Sequence, residues 1–504
     1  MILGETPRAA GTATTLDDLF RRAGVRHPDA LALADPPNRQ SFTHGSQRAL
    51  SFAEADRAIS AVAARLRGLG LQTDSAVAIQ LPNIVESIIA FLGVLRAGMI
   101  PLPLPLLWRQ EEIVVALRQV GPKAIIGCSR LGKTDQIEIA MQSAVELFSI
   151  RHVCGFGPDL PDGIVPLDDV FLSGGADPSV NVPRIGLAAA HVAAITFYPD
   201  ASGLAPIARS HVELVAGGLE TFLETGAASD TPTLSTIPIG SFAGIALTVI
   251  PWLLCGGALH LHHSFDGAAF DAQCRAVTEG IVILPAAAVA AIAECGAFND
   301  VHQTVVSFWR TPERCTGAKT WEGPSNLVDV ASFGETGLIA ARRGADGLPA
   351  PIPLGPVGSV HRAPGAPVVI ETSRTKTGTL ALRGRMVPAQ SFQAPSDQST
   401  PGEGYVDTGF TCSPARHPQT LVITAPPAGT ISIGGYCFRQ SQLEAAVAQA
   451  DPQATIVALP DADLGQRLAG NAADREALRR GLQARGANPL LSGAFAPRHP
   501  PKAA

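Results

Sequence analysis

Four short stretches carry side chains suited to handling a phosphate, a metal ion or a carboxylate. The first, Ala194 to His211, opens as an apolar strand (Val192 to Phe197), crosses a run of turn-forming residues and reaches a helix whose start is marked by Ser210. Thr196, Ser202 and Gly203 supply hydroxyls and a permissive backbone, and a strand, loop and helix in that order can turn N–H groups onto phosphate oxygens. Two residues oppose this chemistry: Pro199 has no N–H, and Asp200 would repel a triphosphate. Arg209 supplies a cation if the loop folds back onto a nucleotide; the plainer reading is an exposed arginine at a helix start. The second stretch, Phe333-Gly334-Glu335-Thr336-Gly337, sets a ring, a carboxylate and a hydroxyl close together. The third, Gly404 to Phe410, contains Asp407, and the fourth, Ile237 to Gly244, contains Ser241, Phe242 and Gly244.

These stretches need a large scaffold. The chain has 504 residues, more than one ordinary core accommodates, so at least two domains are expected. Hydrophobic residues make up 46% and charged residues 16%, a balance that fits a globular protein and excludes a disordered one. The net charge of -6 gives no electrostatic case for a nucleic-acid partner. Eight scattered cysteines without a C-x-x-C pair suggest neither a zinc site nor a disulfide framework, and point to reduced thiols in the cytoplasm. Ala243 to Leu261 is apolar enough to invite a membrane reading, but Pro251 and Gly256-Gly257 predict a buried helix, a turn and a buried strand. His260, His262 and His263 lack nearby cysteines or carboxylates and read as strand-end histidines.

The patterning upstream predicts successive strand–helix–strand units. A helix over Thr15 to Ala23 is followed by one that opens with Ser51 and Glu54, a capping box, and runs to Leu66. A strand (Val77 to Leu81), a helix capped by Asn83, the Pro-rich Ile100 to Pro105, a helix near Glu111 to Val120 and a strand (Ala124 to Cys128) come next. That order spells a parallel sheet.

The chain resembles the adenylate-forming superfamily of acyl-CoA synthetases, peptide-synthetase adenylation domains and luciferases. The phrase Asn83, Glu86, Ala90, Leu92-Gly93, Ala97-Gly98 and Pro101 is its strongest carrier, and Thr196-Phe197, Ser202-Gly203-Leu204 and Arg209-Ser210-His211 keep the frame of the family's signature loop. The resemblance implies an α/β fold: a large N-terminal domain of βαβ units with mixed sheets and a β-barrel-like part (1–425), then a small, shortened α+β C-terminal domain (426–504) after a degenerate hinge. It implies nucleotide contacts at Thr196, Ser202, Gly203, Phe333, Gly334, Thr336 and Asp407, with Phe333 stacking on adenine, and a substrate pocket lined by Ser241, Phe242 and Gly244. The family's loop lysine has no counterpart near Pro206, its magnesium-binding glutamate falls on Gly337, its ribose-binding aspartate falls on Phe410, and its C-terminal lysine is matched only by Lys502. Arg209 and Glu335 are left as displaced stand-ins, and no metal ligand is assigned.

The expected activity is that of an AMP-dependent acid–CoA ligase homologue in which adenylation is weak or lost, a pseudoenzyme of fatty-acid-type metabolism that retains acyl or nucleotide binding. Two alternatives stand beside it: an active ligase using the stand-ins with ATP, Mg2+ and CoA, and a non-catalytic partner of a biosynthetic enzyme. The implied ligand is a small carboxylate or an acyl-CoA, with its chemical class open. No transmembrane segment is expected.

Overall fold

A computed structural model describes residues 14–172, 187–200, 203–298, 303–358, 368–388 and 404–497. The βαβ expectation is met in a five-stranded, all-parallel sheet in the order Ile100–Pro103, Ala76–Gln80, Ala124–Cys128, His152–Phe156, Val165–Pro166. Its helices include Phe52–Gly68, whose Ser51–Glu54 capping box forms as read, and Val85–Arg96, which is buried on nearly every face. The helix expected to be capped by Asn83 instead starts two residues later, with Ile84 at the cap. Asn83 Nδ2 donates to the carbonyls of Ser235 and His262 at 2.8 and 3.2 Å, tying this layer to the neighbouring sheet. Glu86 is fully buried and neutralised by Arg39 (2.6 Å) and Arg48 (2.9 Å).

The second sheet has eight strands in the order Gly337–Arg342, Asn326–Phe333, Thr304–Trp309, Ile281–Pro285, Thr233–Ser235, Leu259–Leu261, Leu31–Ala34, Ala49–Ser51. It is parallel in the middle and antiparallel at both ends. The apolar run before Leu259–Leu261 folds as expected into buried helix, turn and strand. Phe242–Gly244 leads into a π-helical turn over Ile245–Val249, then Ile250–Cys255, and Gly256 ends the helix at φ 78°. Among the described residues no helix is long and apolar enough to cross a membrane.

The barrel-like part is a six-stranded antiparallel sheet whose two edge strands, Ile352–Pro353 and Gly355–Val357, are separated in the chain by Leu354 alone. One bent segment therefore pairs at both ends of the sheet and curls it closed. After it come two hairpins, Thr430–Ile433 with Tyr436–Arg439 and Thr455–Asp461 with Gly465–Asn471, and the helices Gln440–Ala450, Arg475–Ala484 and Pro489–Gly493. These elements bury a core of their own, with Ile431, Leu443, Val447, Leu468, Leu482 and Phe495 at its centre. Polar contacts join this module to the large body: Asn488 Nδ2 donates to Glu112 Oε1 (2.7 Å), Gln442 Nε2 to the Asp200 carbonyl (3.1 Å), and Arg314 to the Ala462 carbonyl (2.7 Å).

Candidate functional site

The signature stretch is a β-hairpin, not a strand that passes through an open loop into a helix. Val192–Asp200 and Gly203–Ser210 pair antiparallel until Asp200 faces Gly203. Ser202, expected to contact phosphate, lies outside the described residues. The Gly203 N–H is taken by the Asp200 carboxylate at 3.0 Å, and Gly203 itself adopts φ 138°. The helix His211–Thr225 follows with the Ser210 cap in place, closed by Glu213 as a capping box. His211 accepts the Leu16 N–H on Nδ1 (3.2 Å), anchoring the N-terminal helix.

Residues 194 and 209 face each other across the hairpin, so Thr196 and Arg209 lie on one face, directed inward. There they meet Glu335. Thr196 Oγ1 donates to Glu335 Oε2 at 2.6 Å, Arg209 Nη1 lies 3.5 Å from the same oxygen, and the Phe242 N–H donates to it at 3.0 Å. The guanidinium also lies over the Phe242 ring, 3.8 Å from its centre. Arg209 is 1% exposed, and its Nε and Nη2 find no hydrogen-bond partner among the described residues. Burial pulls its pKa down to about 10 against the opposing pull of Glu335, while burial pushes the Glu335 carboxyl above its usual range against the favourable pull of Arg209. Arg209 is thus neither exposed nor reaching over a loop. The two residues read as stand-ins come together and neutralise one another.

A cleft of about 1550 Å³ opens above this cluster. Thr236, His263, Pro285, Arg310 and Glu335 line it, each just beyond or at the C-terminal end of a strand from the parallel part of the eight-stranded sheet, where open α/β sheets bind ligands. The roof includes Tyr198, Pro199 and Leu204 of the first hairpin and Gly434, Gly435 and Tyr436 of the C-terminal one. Arg310 and Tyr436 were not singled out from the sequence. The available signal for Arg310 was its place as a lone cation immediately after the apolar strand Thr304–Trp309.

Residues 20–155 match the sequence model of the family described as AMP-binding enzyme. The chain is 26% identical over 483 residues to 2-hydroxy-7-methoxy-5-methyl-1-naphthoate–CoA ligase of Streptomyces carzinostaticus, covering 88% of this chain and 81% of that protein. The chain is thus similar in sequence to an AMP-binding segment and, across most of its length, to a CoA ligase. A 96-residue segment is 43% identical to the salicyl-AMP ligase / salicyl-S-ArCP synthetase of Mycobacterium tuberculosis, covering 19% of this chain and 16% of that one. In fold, it is similar to the apo structure of Mycobacterium smegmatis MbtA (TM-score 0.65, 21% identity, 95% and 90% of the two chains). The amide bond synthetase McbA of Marinactinospora thermotolerans is similar too (TM-score 0.68, 17% identity, 94% of each chain).

The residues assigned to the nucleotide by motif are placed as follows. The Phe333 ring is 1% exposed and meets Phe410 edge-on at 5.5 Å, so it is core and presents no face for adenine to stack on. Phe410 itself lines the cleft. Gly334 lines it too, at φ 59°, with the Tyr198 ring packed where a side chain would stand. Thr336 is half-buried in the turn beyond, its N–H donating to the Phe333 carbonyl (3.0 Å). Asp407 is exposed outside the cleft lining, its carboxylate accepting from Thr379 Oγ1 (2.9 Å) and the Gly409 N–H (2.8 Å). Of the three pocket residues, Ser241 lines the cleft, whereas Phe242 is fully buried against Gly217 and Arg209, and Gly244 is buried against Pro238. Among the described residues, Glu335 faces Arg209 and Thr196, and the Gly203 N–H is taken by Asp200, so these groups are turned toward one another.

Proposed function

We propose that this chain is of the adenylate-forming type and binds an aromatic carboxylate, or its CoA thioester, in the cleft, with ATP-dependent adenylation weak or lost. The Arg209–Glu335 pair carries the reading. A nucleotide site on this scaffold needs a cation and a carboxylate directed outward, to the phosphates and the metal, and these two satisfy each other inward. Removing one preorganised donor from a charge-stabilising site typically costs about 3 kcal/mol of barrier, and several are displaced together here. The aromatic class rests on ring-bearing walls at Trp108, Tyr198, Phe308 and Trp309 and on the likeness to a naphthoate ligase across most of the chain. In this reading residues 1–425 form the large domain that supplies the floor, and 426–504 the small domain that supplies part of the roof.

Isothermal titration with Mg-ATP, AMP, aryl carboxylates and an aryl-CoA, together with pyrophosphate release over an acid panel, tests it. Binding of the aromatic ligands without tight Mg-ATP binding is the expected result. Micromolar Mg-ATP binding with acid-dependent pyrophosphate release would overturn it in favour of an active ligase.

A further inference from the structure

Five arginine and lysine side chains line the cleft, and four of them are occupied at its margins. Arg343 pairs with Asp329 (2.7 Å), Lys319 with Glu294 (3.0 Å), Arg314 donates to the Ala462 carbonyl, and Arg109 donates to the carbonyls of its own loop and to Thr134. Arg310, like Arg109 and Arg314, has neutral partners, and it also reaches Ser241 on the cleft floor. Its Nη1 donates to the Gly435 carbonyl (3.2 Å) and its Nη2 to Ser241 Oγ (3.3 Å). Both partners are neutral, and no carboxylate forms an ion pair with it among the described residues. A guanidinium has five N–H donors in a planar fork, so these two bonds leave three for a ligand. Burial holds its pKa below the usual arginine range, against the opposing pull of Cys437, Glu335 and Tyr436.

Ser241 adds to this. Its Oγ already accepts the Gly244 N–H (3.1 Å) as well as Arg310 Nη2, so its own hydrogen is the part left to donate. Glu335, a carboxylate that lines the same space, pairs with Arg209 and accepts from Thr196; its charge is felt at Arg310, but it forms no ion pair with it among the described residues. Arg310 lies so close beneath Gly435 that a β-carbon there would collide with it, which keeps the side chain at the seam between the large body and the C-terminal hairpin.

We propose that Arg310 and Ser241 form the anion anchor of the cleft, receiving the carboxylate of an aromatic ligand at the seam where Gly435 meets the large body. The inference rests on the proposed cleft reading and adds to it the residues that set ligand charge and orientation. A carboxylate matches the fork bidentately, and the ring body then lies among the aromatic walls. A phosphate would use the same donors, so the sources must be separated by experiment.

The test titrates the full chain with 2-hydroxy-1-naphthoate, its primary amide and free CoA, in the wild type and in Arg310→Ala, Arg310→Lys and Ser241→Ala, with folding followed by circular dichroism. The wild type is expected to bind the acid at least about tenfold more tightly than the amide. Arg310→Ala should erase that preference by weakening the acid alone, Arg310→Lys should restore part of it, and Ser241→Ala should reduce it. Equal binding of acid and amide by the wild type overturns the anchor and leaves the cleft reading standing, and this comparison needs no variant to fold. Binding of CoA without the acid also overturns it, since the anion would then be a phosphate. Failure of both acid and amide to bind overturns the anchor and the cleft reading together.

Discussion

Arg209 Nη1 lies 3.5 Å from Glu335 Oε2, although 126 residues separate the two in the chain, and both side chains are buried. A pair this buried stabilises little relative to apolar residues of the same shape, but breaking it from one side strands a charge. Arg209→Ala should therefore lower stability by about 3 to 5 kcal/mol, including the loss of its stacking on Phe242. The double variant Arg209→Met/Glu335→Gln should recover much of that loss. A urea-unfolding double-mutant cycle measures both. Additive losses would show that the two side chains are not coupled, and with that the reason for calling them unavailable to a nucleotide would fall.

Glu112 gives a pH dependence. It accepts the Arg109 N–H (3.1 Å) and Asn488 Nδ2 (2.7 Å) at the junction with the C-terminal module, and burial raises its pKa from 4.5 to about 7. Between those values the folded chain holds a proton that the unfolded chain has released. The contribution is fully present below pH 4.5 and is lost as pH rises through 7. Glu112→Gln mimics the protonated form, so the variant should gain on the wild type from pH 5 to pH 8, by about 1 to 3 kcal/mol once solvent screening is allowed for. Thermal melts across that range check the sign, and a gap that narrows as pH rises would contradict it.

Asp407 separates motif from placement. If the ribose role survived, Asp407→Ala would weaken AMP binding sharply; with the carboxylate on the surface beside Thr379, the expected change in affinity for any cleft ligand is less than about twofold. The variant should lose no more than about 1 kcal/mol of stability, the worth of two exposed hydrogen bonds. Titration with AMP and an aryl acid, beside a melt, distinguishes the two cases.

The parts of the fold legible in the sequence were those governed by local rules. The Ser51–Glu54 and Ser210 caps, the parallel strands around Ala124–Cys128 and the break at Gly256 all express propensities that neighbouring residues decide. Illegible were relationships set by long-range packing. Asn83 has the type and spacing of a helix cap, yet its amide is drawn to two carbonyls of another sheet. Arg209 stands where a surface cation belongs, and only the pairing of residue 194 with 209 turns it inward. Phe333 keeps the aromatic character of its motif, but Phe410, 77 residues later, gives that ring a core partner. Arg310 drew no notice because its significance depends on Gly435 and Ser241, which are remote in sequence.

Gly244 tests how rigidly the floor beneath the cleft is built. It sits between the short helix capped by Ser241 and the π-helical turn, and a β-carbon there would run into the Pro238 carbonyl and the Ile239 backbone. Its backbone is helical, so alanine carries no conformational penalty, and helix propensity alone would make Gly244→Ala stabilising by about 1 kcal/mol. The obstruction is main chain, which cannot rotate away as a flexible side chain would, and overpacking of this kind costs about 1 to 3 kcal/mol. Net destabilisation is therefore expected. Because Ser241 Oγ accepts the Gly244 N–H, the same shift should also disturb the hydroxyl that Arg310 contacts. Gly244→Ala should lower both the melting temperature and the affinity for an aryl carboxylate, while the neighbouring Ala243→Gly leaves the Pro238 contact intact. A more stable Gly244→Ala variant with unchanged ligand affinity would show that the Pro238 segment yields and that the floor is softer than its packing implies.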